Sequence, residues 1–262
     1  MPSDPVRPPL HLPSPPPLTP PPTFAEGLAG LGVSLDTRAI ALLGDYLARL
    51  LAMNEQMNLT SITDPQEAWT RHLLDALSLV PHLGALPAEA RVLDVGSGGG
   101  VPGIPLAIAR PDLPITLLEA TQKKAAFLAA VVEALGLPRV TVATGRAEQL
   151  AATALRGSFD AVTARAVARL DALLPWTVPF VKPGGRLLLI KGQRADEELN
   201  EARKALARRR CVHEQTQETP TGRVVVIRVG SPFADPAPVS KECRGPAGPR
   251  RADRSRRGAG GG

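Results

Sequence analysis

The stretch Arg91-Val92-Leu93-Asp94-Val95-Gly96-Ser97-Gly98-Gly99-Gly100-Val101-Pro102-Gly103 places an acidic residue and a ladder of glycines where a short apolar strand gives way to a helix. Val92, Leu93 and Val95 supply the strand, and the glycines supply the positive-φ freedom and close backbone approach that a ligand lying across the turn requires. The helix that follows presents unpaired N–H groups to the same spot. The spacing D-x-G-x-G-x-G is that of S-adenosylmethionine enzymes, while Gly98, Gly100 and Gly103 also satisfy the dinucleotide pattern G-x-G-x-x-G. On its own the loop leaves a methyl donor and a nicotinamide both open.

Working outward, strands are expected at 91–95, 115–119, 140–143, 159–163 and 186–191, alternating with helices at 104–109, 122–135 and 171–181. This alternation predicts a parallel, doubly wound sheet. Lys182-Pro183-Gly184-Gly185 is expected to stop the last of those helices and turn tightly into the next strand. A further helix is expected over 196–210, acidic at its start and arginine-rich at its end as the macrodipole favours. After it, 212–217 and 223–229 flank Thr219-Pro220-Thr221-Gly222 and read as an antiparallel hairpin. That ending separates the two cofactors. A nicotinamide dehydrogenase needs a substrate domain, for which no residues remain, whereas a parallel sheet closed by a hairpin is how methyltransferases end. The expected fold class is therefore α/β: a Rossmann-like S-adenosylmethionine-dependent methyltransferase sheet with an N-terminal helical element.

That element covers 24–84, where Leu43, Leu47, Leu50 and Leu51, then Leu73, Leu74, Leu77 and Val80, recur at three- and four-residue spacing. Eleven of the 28 prolines fall between Pro2 and Pro22, so residues 1–23 are expected to form an extended, polyproline-like arm outside the fold. The methyltransferase domain is expected over 85–230 and a disordered basic tail over 231–262. The chain carries a net charge of +6, but residues 241–262 hold seven Lys/Arg against Glu242 and Asp253, a net of +5. The body is close to neutral. An RNA-facing surface must then be a local patch, with the tail either a flexible auxiliary drawn to phosphates or a solvated end. Only 3% of residues are aromatic, so base-stacking platforms are sparse and any nucleic-acid contact is mainly ionic. Cys211 and Cys243 form no C-x-x-C pair, and His11, His72, His82 and His213 lack ligand spacing, so no zinc site is expected. With no signal-like segment and no 18-residue apolar run, the sequence reads as a soluble cytoplasmic protein without a membrane partner.

Several side chains fall where a cofactor would lie. Asp94, at the end of the first strand, can order the glycine loop, face a sulfonium through water, or simply cap a turn. Gly96, Gly98 and Gly100 cost backbone entropy that a plain turn does not require, which favours a ligand over them. Glu119 ends the second strand, where an acid meets the ribose hydroxyls of an adenosine cofactor; an ion pair to Lys123 or Lys124 is the plainer role. Ala147 and Glu148 follow the third strand, at the sheet edge where an adenine would be held, although Glu148 equally suits a helix start. Arg165 follows the fourth strand, nearest the transferred methyl, and could meet the cofactor carboxylate, a substrate phosphate or Glu148.

From about Leu42 to Val229 the chain resembles the bacterial small-subunit ribosomal RNA guanine-N7 methyltransferases, the RsmG or glucose-inhibited division protein B family. The resemblance rests on Met57-Asn58-Leu59-Thr60, Arg71-His72-Leu73-Leu74-Asp75-Ala76-Leu77-Ser78, Asp94 to Pro105, Lys124-Ala125-Ala126-Phe127-Leu128 and Ala164-Arg165-Ala166-Val167-Ala168. It implies S-adenosyl-L-methionine as cofactor, with Gly96, Val101, Ala147, Glu148 and Arg165 on the cofactor-contacting positions. Val101 stands where Phe or Leu is more usual, so packing there is looser. It also implies methylation of N7 of a guanine in the 530 loop of 16S ribosomal RNA, with that RNA, the small subunit or its precursor as partner and the enzyme acting as a monomer. Asn58, His72 and Asp75 are the substrate-side candidates, His72 and Asp75 sharing one helix face, although such a pair can also merely tie helices together. Arg71, Lys123, Lys124, Arg165 and Lys191 are candidates for an RNA-facing rim that positions phosphates without specifying bases.

Guanine N7 carries an in-plane lone pair and no proton, so its methylation needs no general base, and no catalytic acid or base is assigned. Alignment and exclusion of water carry the reaction, effects that supply up to roughly 7–11 kcal/mol in well-oriented systems. Two rivals share the sequence features: a same-fold methyltransferase acting on another RNA or a protein, and a non-catalytic ribosome-associated protein that keeps the cofactor fold as a scaffold.

Overall fold

The computed structural model describes residues 10–230 other than Ala85, Ala88 and Ala166. Seven strands form one sheet in the order β3-β2-β1-β4-β5-β7-β6: β1 (Val92–Val95), β2 (Ile115–Glu119), β3 (Val140–Thr144), β4 (Phe159–Arg165), β5 (Val181–Lys191), β6 (Cys211–Glu218) and β7 (Arg223–Val229). The first five run parallel, and β7 is antiparallel to both β5 and β6. The sheet and its closing hairpin follow the sequence expectation. Side chains alternate between faces with period two. Val92, Ile115, Leu117, Leu188, Ile190, Val224 and Val226 enter one core, while Leu93, Val95, Leu118, Leu187, Leu189, Val225 and Ile227 enter the other.

The first core is completed by α1 (Pro22–Leu31), α2 (Thr37–Met57), α3 (Pro65–Ala68), a π-helical turn at Trp69–Leu74, α4 (Asp75–Leu77) and α5 (Val80–Leu83), together with α6 (Gly103–Ala109) and α7 (Gln122–Ala134). The N-terminal helices thus share the sheet's own core. Asp36 starts α2 by accepting the Ala39 N–H at 2.7 Å, and Asp64 starts α3 through the Glu67 N–H at 2.7 Å. The second core lies beneath α8 (Ala147–Leu150), α9 (Leu170–Thr177) and α10 (Ala195–Arg208). α10 carries Asp196, Glu197 and Glu198 in its first turn and Arg208 in its last.

Two expectations are corrected. Residues 10–21 of the proline-rich arm have no regular secondary structure but do not lie outside the fold. Leu10, Leu12 and Leu18 pack on the first core, the Leu18 N–H donates to the Gly44 carbonyl at 3.1 Å, and Arg49 reaches the Pro13 carbonyl and Ser14 hydroxyl at 3.2 and 3.3 Å. Prolines forbid a helix there without forbidding an apolar face. The stop at 182–185 is likewise not a clean boundary: α9 ends at Thr177, a 3₁₀ turn covers Val178–Phe180, and β5 already pairs at Val181. The register then jumps from Phe159↔Val181 to Ala161↔Arg186, so the Pro-Gly-Gly run bulges out of the strand, with Gly184 at φ 83° and Lys182 paired to Asp160 at 2.8 Å. The basic tail at 231–262 and Cys243 lie outside the described residues.

Candidate functional site

The glycine loop leaves β1 at the carboxyl edge of the sheet, where the strand order reverses. Asp94 is 1% exposed; its carboxylate accepts the Gly103 N–H of α6 at 3.2 Å and the Thr163 hydroxyl of β4 at 3.0 Å. The side chain therefore ties the loop to α6 and β4. Burial pushes its carboxyl up to about 6, against the pull of those bonds and of Arg165. Gly96, Gly98 and Gly100 sit at φ 71°, 56° and 101°, where L side chains are strained. The Tyr46 hydroxyl of α2 donates to the Gly99 carbonyl at 2.8 Å, and Val101 is buried in the same core as Tyr46. A Cβ at Gly98 would meet only the Gly96 carbonyl, at 3.8 Å, so the crest of the loop faces open space.

Glu119 is 7% exposed and accepts the Gly98 N–H at 2.9 Å and the Thr121 N–H at 2.7 Å, joining the end of β2 to the crest. No ion pair between Glu119 and Lys123 or Lys124 occurs among the described residues. Ala147 and Glu148 open α8, Ala147 half-buried and Glu148 exposed. An open glycine crest at positive φ with a buried acid beside it fits an adenosine cofactor.

Arg165 leaves β4 toward the N-terminal helices. Its guanidinium donates to the Arg71 carbonyl at 2.8 Å and to His72 Nδ1 at 3.1 Å, and Glu148 is not its partner. Burial pushes the His72 imidazole down to about 3, so it is neutral. With Arg165 donating to Nδ1, the ring proton sits on Nε2 and is given to the Thr60 hydroxyl at 2.8 Å. Beside this contact opens a cleft of about 420 Å³ lined by Arg71, Asp75, Arg165, Arg169, Lys191 and Thr221, among others. Val167 joins it to the glycine loop: a Cβ on Gly96 would lie 3.0 Å from Val167 Cγ2. Asp75 is buried and accepts the Thr221 hydroxyl; burial raises its pKa against that bond and the nearby Arg165 and Arg71.

The structure thus brings Arg71, Asp75, Arg165 and Lys191 together, with His72 immediately behind Arg165. Three other candidates stand apart. Asn58 is the C-cap of α2 at φ 49°, its N–H donating to the Asn54 carbonyl, so a helix end explains it. Lys123 and Lys124 lie in the first turn of α7, after β2, while the cleft sits at the ends of β4, β5 and β7 on the other side of β1. Lys191 lines the cleft but is no exposed rim cation. Its side chain is 8% exposed, held by Glu198 at 2.7 Å and the Ala168 carbonyl at 2.6 Å. Thr221, Thr60 and Tyr46 were not legible as site residues. The one available signal was that Tyr46, the chain's single tyrosine, falls on a leucine-rich helix where its hydroxyl would need a partner. Among the described residues no group of His, Cys, Asp and Glu is arranged to hold a metal, and no helix is long and apolar enough to cross a membrane.

A family model described as rRNA small subunit methyltransferase G matches residues 39–226. The chain belongs to this family. Ribosomal RNA small subunit methyltransferase G of Sorangium cellulosum (strain So ce56) is 63% identical over 222 residues, spanning 85% of this chain and 93% of the relative. The methyltransferase G of Burkholderia thailandensis is 46% identical over 177 residues, 67% of this chain and 77% of the relative. Among solved structures, cofactor-bound Rv0187 from MTB superposes with a TM-score of 0.56 at 19% identity, covering 81% of this chain and 99% of that one. The O-methyltransferase from Bacillus cereus in complex with SAH superposes with a TM-score of 0.51 at 17% identity, covering 79% and 97%. At those identities the likeness shows the methyltransferase fold. S-adenosyl-L-methionine as cofactor is supported by membership of the methyltransferase G family.

Proposed function

We propose that this member of the methyltransferase G family transfers a methyl group from S-adenosyl-L-methionine to N7 of a guanine in the 530 loop of 16S ribosomal RNA, in the cytoplasm and as a monomer. The observation that carries the reading is the junction at Val167, which sets the open crest of the glycine loop against a cleft lined by Arg71, Arg165, Arg169 and Lys191 together with Asp75 and Glu198. When bound, the cofactor supplies an electrophilic methyl on a sulfonium centre. The residues proposed to hold it are Asp94, Gly96, Gly98, Gly100, Val101, Glu119, Ala147, Glu148 and Arg165. Glu119 is suited to the ribose because its carboxylate stands at the crest and can exchange backbone donors for hydroxyls.

On the substrate side, Arg71 is half-exposed at the cleft mouth, where one guanidinium nitrogen pairs with Glu67 at 2.7 Å and the others are placed to meet an RNA phosphate. Arg165 presents a guanidinium whose position is fixed by Arg71 and His72. Because N7 is nucleophilic as it stands, the neutral His72 serves as a support and not as a base. The target base must leave its stack to enter the cleft, so recognition reads RNA shape together with one extruded purine.

The test is transfer of labelled methyl from S-adenosylmethionine to 16S ribosomal RNA from cells lacking the enzyme, mapped by N7-sensitive strand cleavage. One cleavage, at a guanine of the 530 loop, is expected. Cofactor binding without transfer to RNA or subunit would leave the scaffold reading in its place.

A further inference from the structure

Both purines carry a nucleophilic N7, so nothing in the reacting atom itself tells guanine from adenine. The two differ on two edges: beside N7 guanine has the O6 acceptor where adenine has the N6 amine, and on the opposite edge guanine presents two adjacent donors, N1–H and the N2 amine, where adenine has a lone pair and a C–H. Resting on the function proposed above, we infer that Asp75, buttressed by Thr221, is the residue that reads the N1–H and N2 amine of the target guanine.

Three observations carry this assignment. Asp75 lines the cleft and is buried, 7% exposed, yet forms no ion pair among the described residues, although Arg71, Arg165 and Lys191 line the same cleft. A carboxylate has about four lone-pair sites; the Thr221 hydroxyl occupies one while fixing the group's orientation, and a side-chain hydrogen bond from Thr219 takes a second, so about two remain for a ligand. The order of strands then sets the direction. The cofactor loop follows β1, Arg165 ends β4, Lys191 ends β5, and Thr221 precedes β7, so Asp75 and Thr221 lie on the far side of the cleft from the glycine loop. Three strand spacings, roughly 14 Å, separate β1 from β7. A guanine lying across that gap with N7 toward the loop turns its N1 and N2 edge toward Asp75. The upward push that burial exerts on the Asp75 carboxyl agrees with a site whose compensating donors arrive with the ligand.

The test uses 16S RNA assembled by ligation with either guanosine or inosine at the target position. Inosine keeps N7, O6 and N1–H and lacks only the N2 amine. For the unaltered enzyme, loss of one hydrogen bond to a buried carboxylate should lower kcat/KM by about 10- to 100-fold. Asp75→Ala should be slow on both RNAs and bring the guanosine-to-inosine ratio near 1, while Thr221→Val, which removes the buttress and keeps the carboxylate, should retain a ratio well above 1. Should Asp75→Ala fail to bind S-adenosylmethionine, Asp75→Asn takes its place, with the ratio expected to shrink because its amide offers one acceptor and one donor. A purely structural Asp75 would slow both substrates equally and leave the ratio intact, which overturns the assignment, as would an unaltered enzyme indifferent to inosine. Failure of the unaltered enzyme to methylate N7 of the guanosine RNA would instead refute the proposed function itself.

Discussion

Replacing Asp94 by asparagine should change how stability depends on pH, and the structure fixes both the sign and the size. The carboxyl releases its proton at 3.8 when exposed and at about 6 in the folded protein, because burial disfavours the charge more than the donors of Thr163 and Gly103 favour it. Between those values the folded chain holds up to one proton more than the unfolded chain. The stabilisation this confers is fully present below about 4 and is lost as the pH rises through about 6. At 1.36 kcal/mol per pH unit it amounts to roughly 3 kcal/mol. The amide introduced by Asp94→Asn cannot titrate; like the protonated carboxyl that the folded parent holds below about 6, it offers one carbonyl oxygen, here to the Gly103 N–H, while the Thr163 hydroxyl can turn to the Leu93 carbonyl at 3.4 Å. The variant should thus lie close to the parent near pH 4 and gain on it by up to roughly 3 kcal/mol by pH 8. Urea unfolding of cofactor-free protein at pH 4, 5, 6, 7 and 8 measures the difference directly, since every other titrating group is common to both chains. Parallel profiles for the two proteins would refute the reasoning.

Other expectations follow from single contacts. Glu119→Gln should weaken S-adenosylmethionine binding about 10- to 100-fold in calorimetry through loss of charge-assisted hydrogen bonds, and unchanged affinity would remove Glu119 from the cofactor site. In Gly44→Ala the new Cβ would collide with the Leu18 carbonyl, so the arm must lift from α2; a cost of about 1–3 kcal/mol and faster proteolysis within residues 10–21 are expected, and an unchanged cleavage rate would mean that the arm is not docked. Deleting the residues after Gly230 removes a segment of net charge +4, seven Lys/Arg against Asp235, Glu242 and Asp253, which should weaken RNA binding most at low salt and flatten its salt dependence; an unchanged slope would show that the tail does not touch phosphates.

The sheet was legible because its strands are short apolar runs bounded by turn residues, and because a central parallel strand such as Val92–Val95, buried on both faces, leaves no other reading. The glycine loop was legible for a similar reason: three alternating glycines have few other uses. What sequence could not supply was pairing across long separations. Arg165 meets Arg71 and His72 some 94 and 93 positions away, and Asp75 meets Thr221 across 146, so neither the support behind Arg165 nor the role of the hairpin turn leaves a local trace. Lys191 shows the same limit in reverse. A lysine at a strand end suggests a rim cation until Glu198, from the next helix, is seen to hold it. The arm failed differently: proline content reports backbone conformation and is silent on whether Leu10, Leu12 and Leu18 find a surface.

In the proposed reaction the glycine crest and the adjoining cleft together place a methyl group on N7 of one guanine. Its most direct test is mass spectrometry of nuclease digests of 16S ribosomal RNA after incubation with the purified chain and S-adenosylmethionine. A single new 7-methylguanosine is expected, in the fragment that carries the 530 loop. A methyl group on any other atom or base, or its absence from RNA that the chain demonstrably binds together with the cofactor, would contradict it.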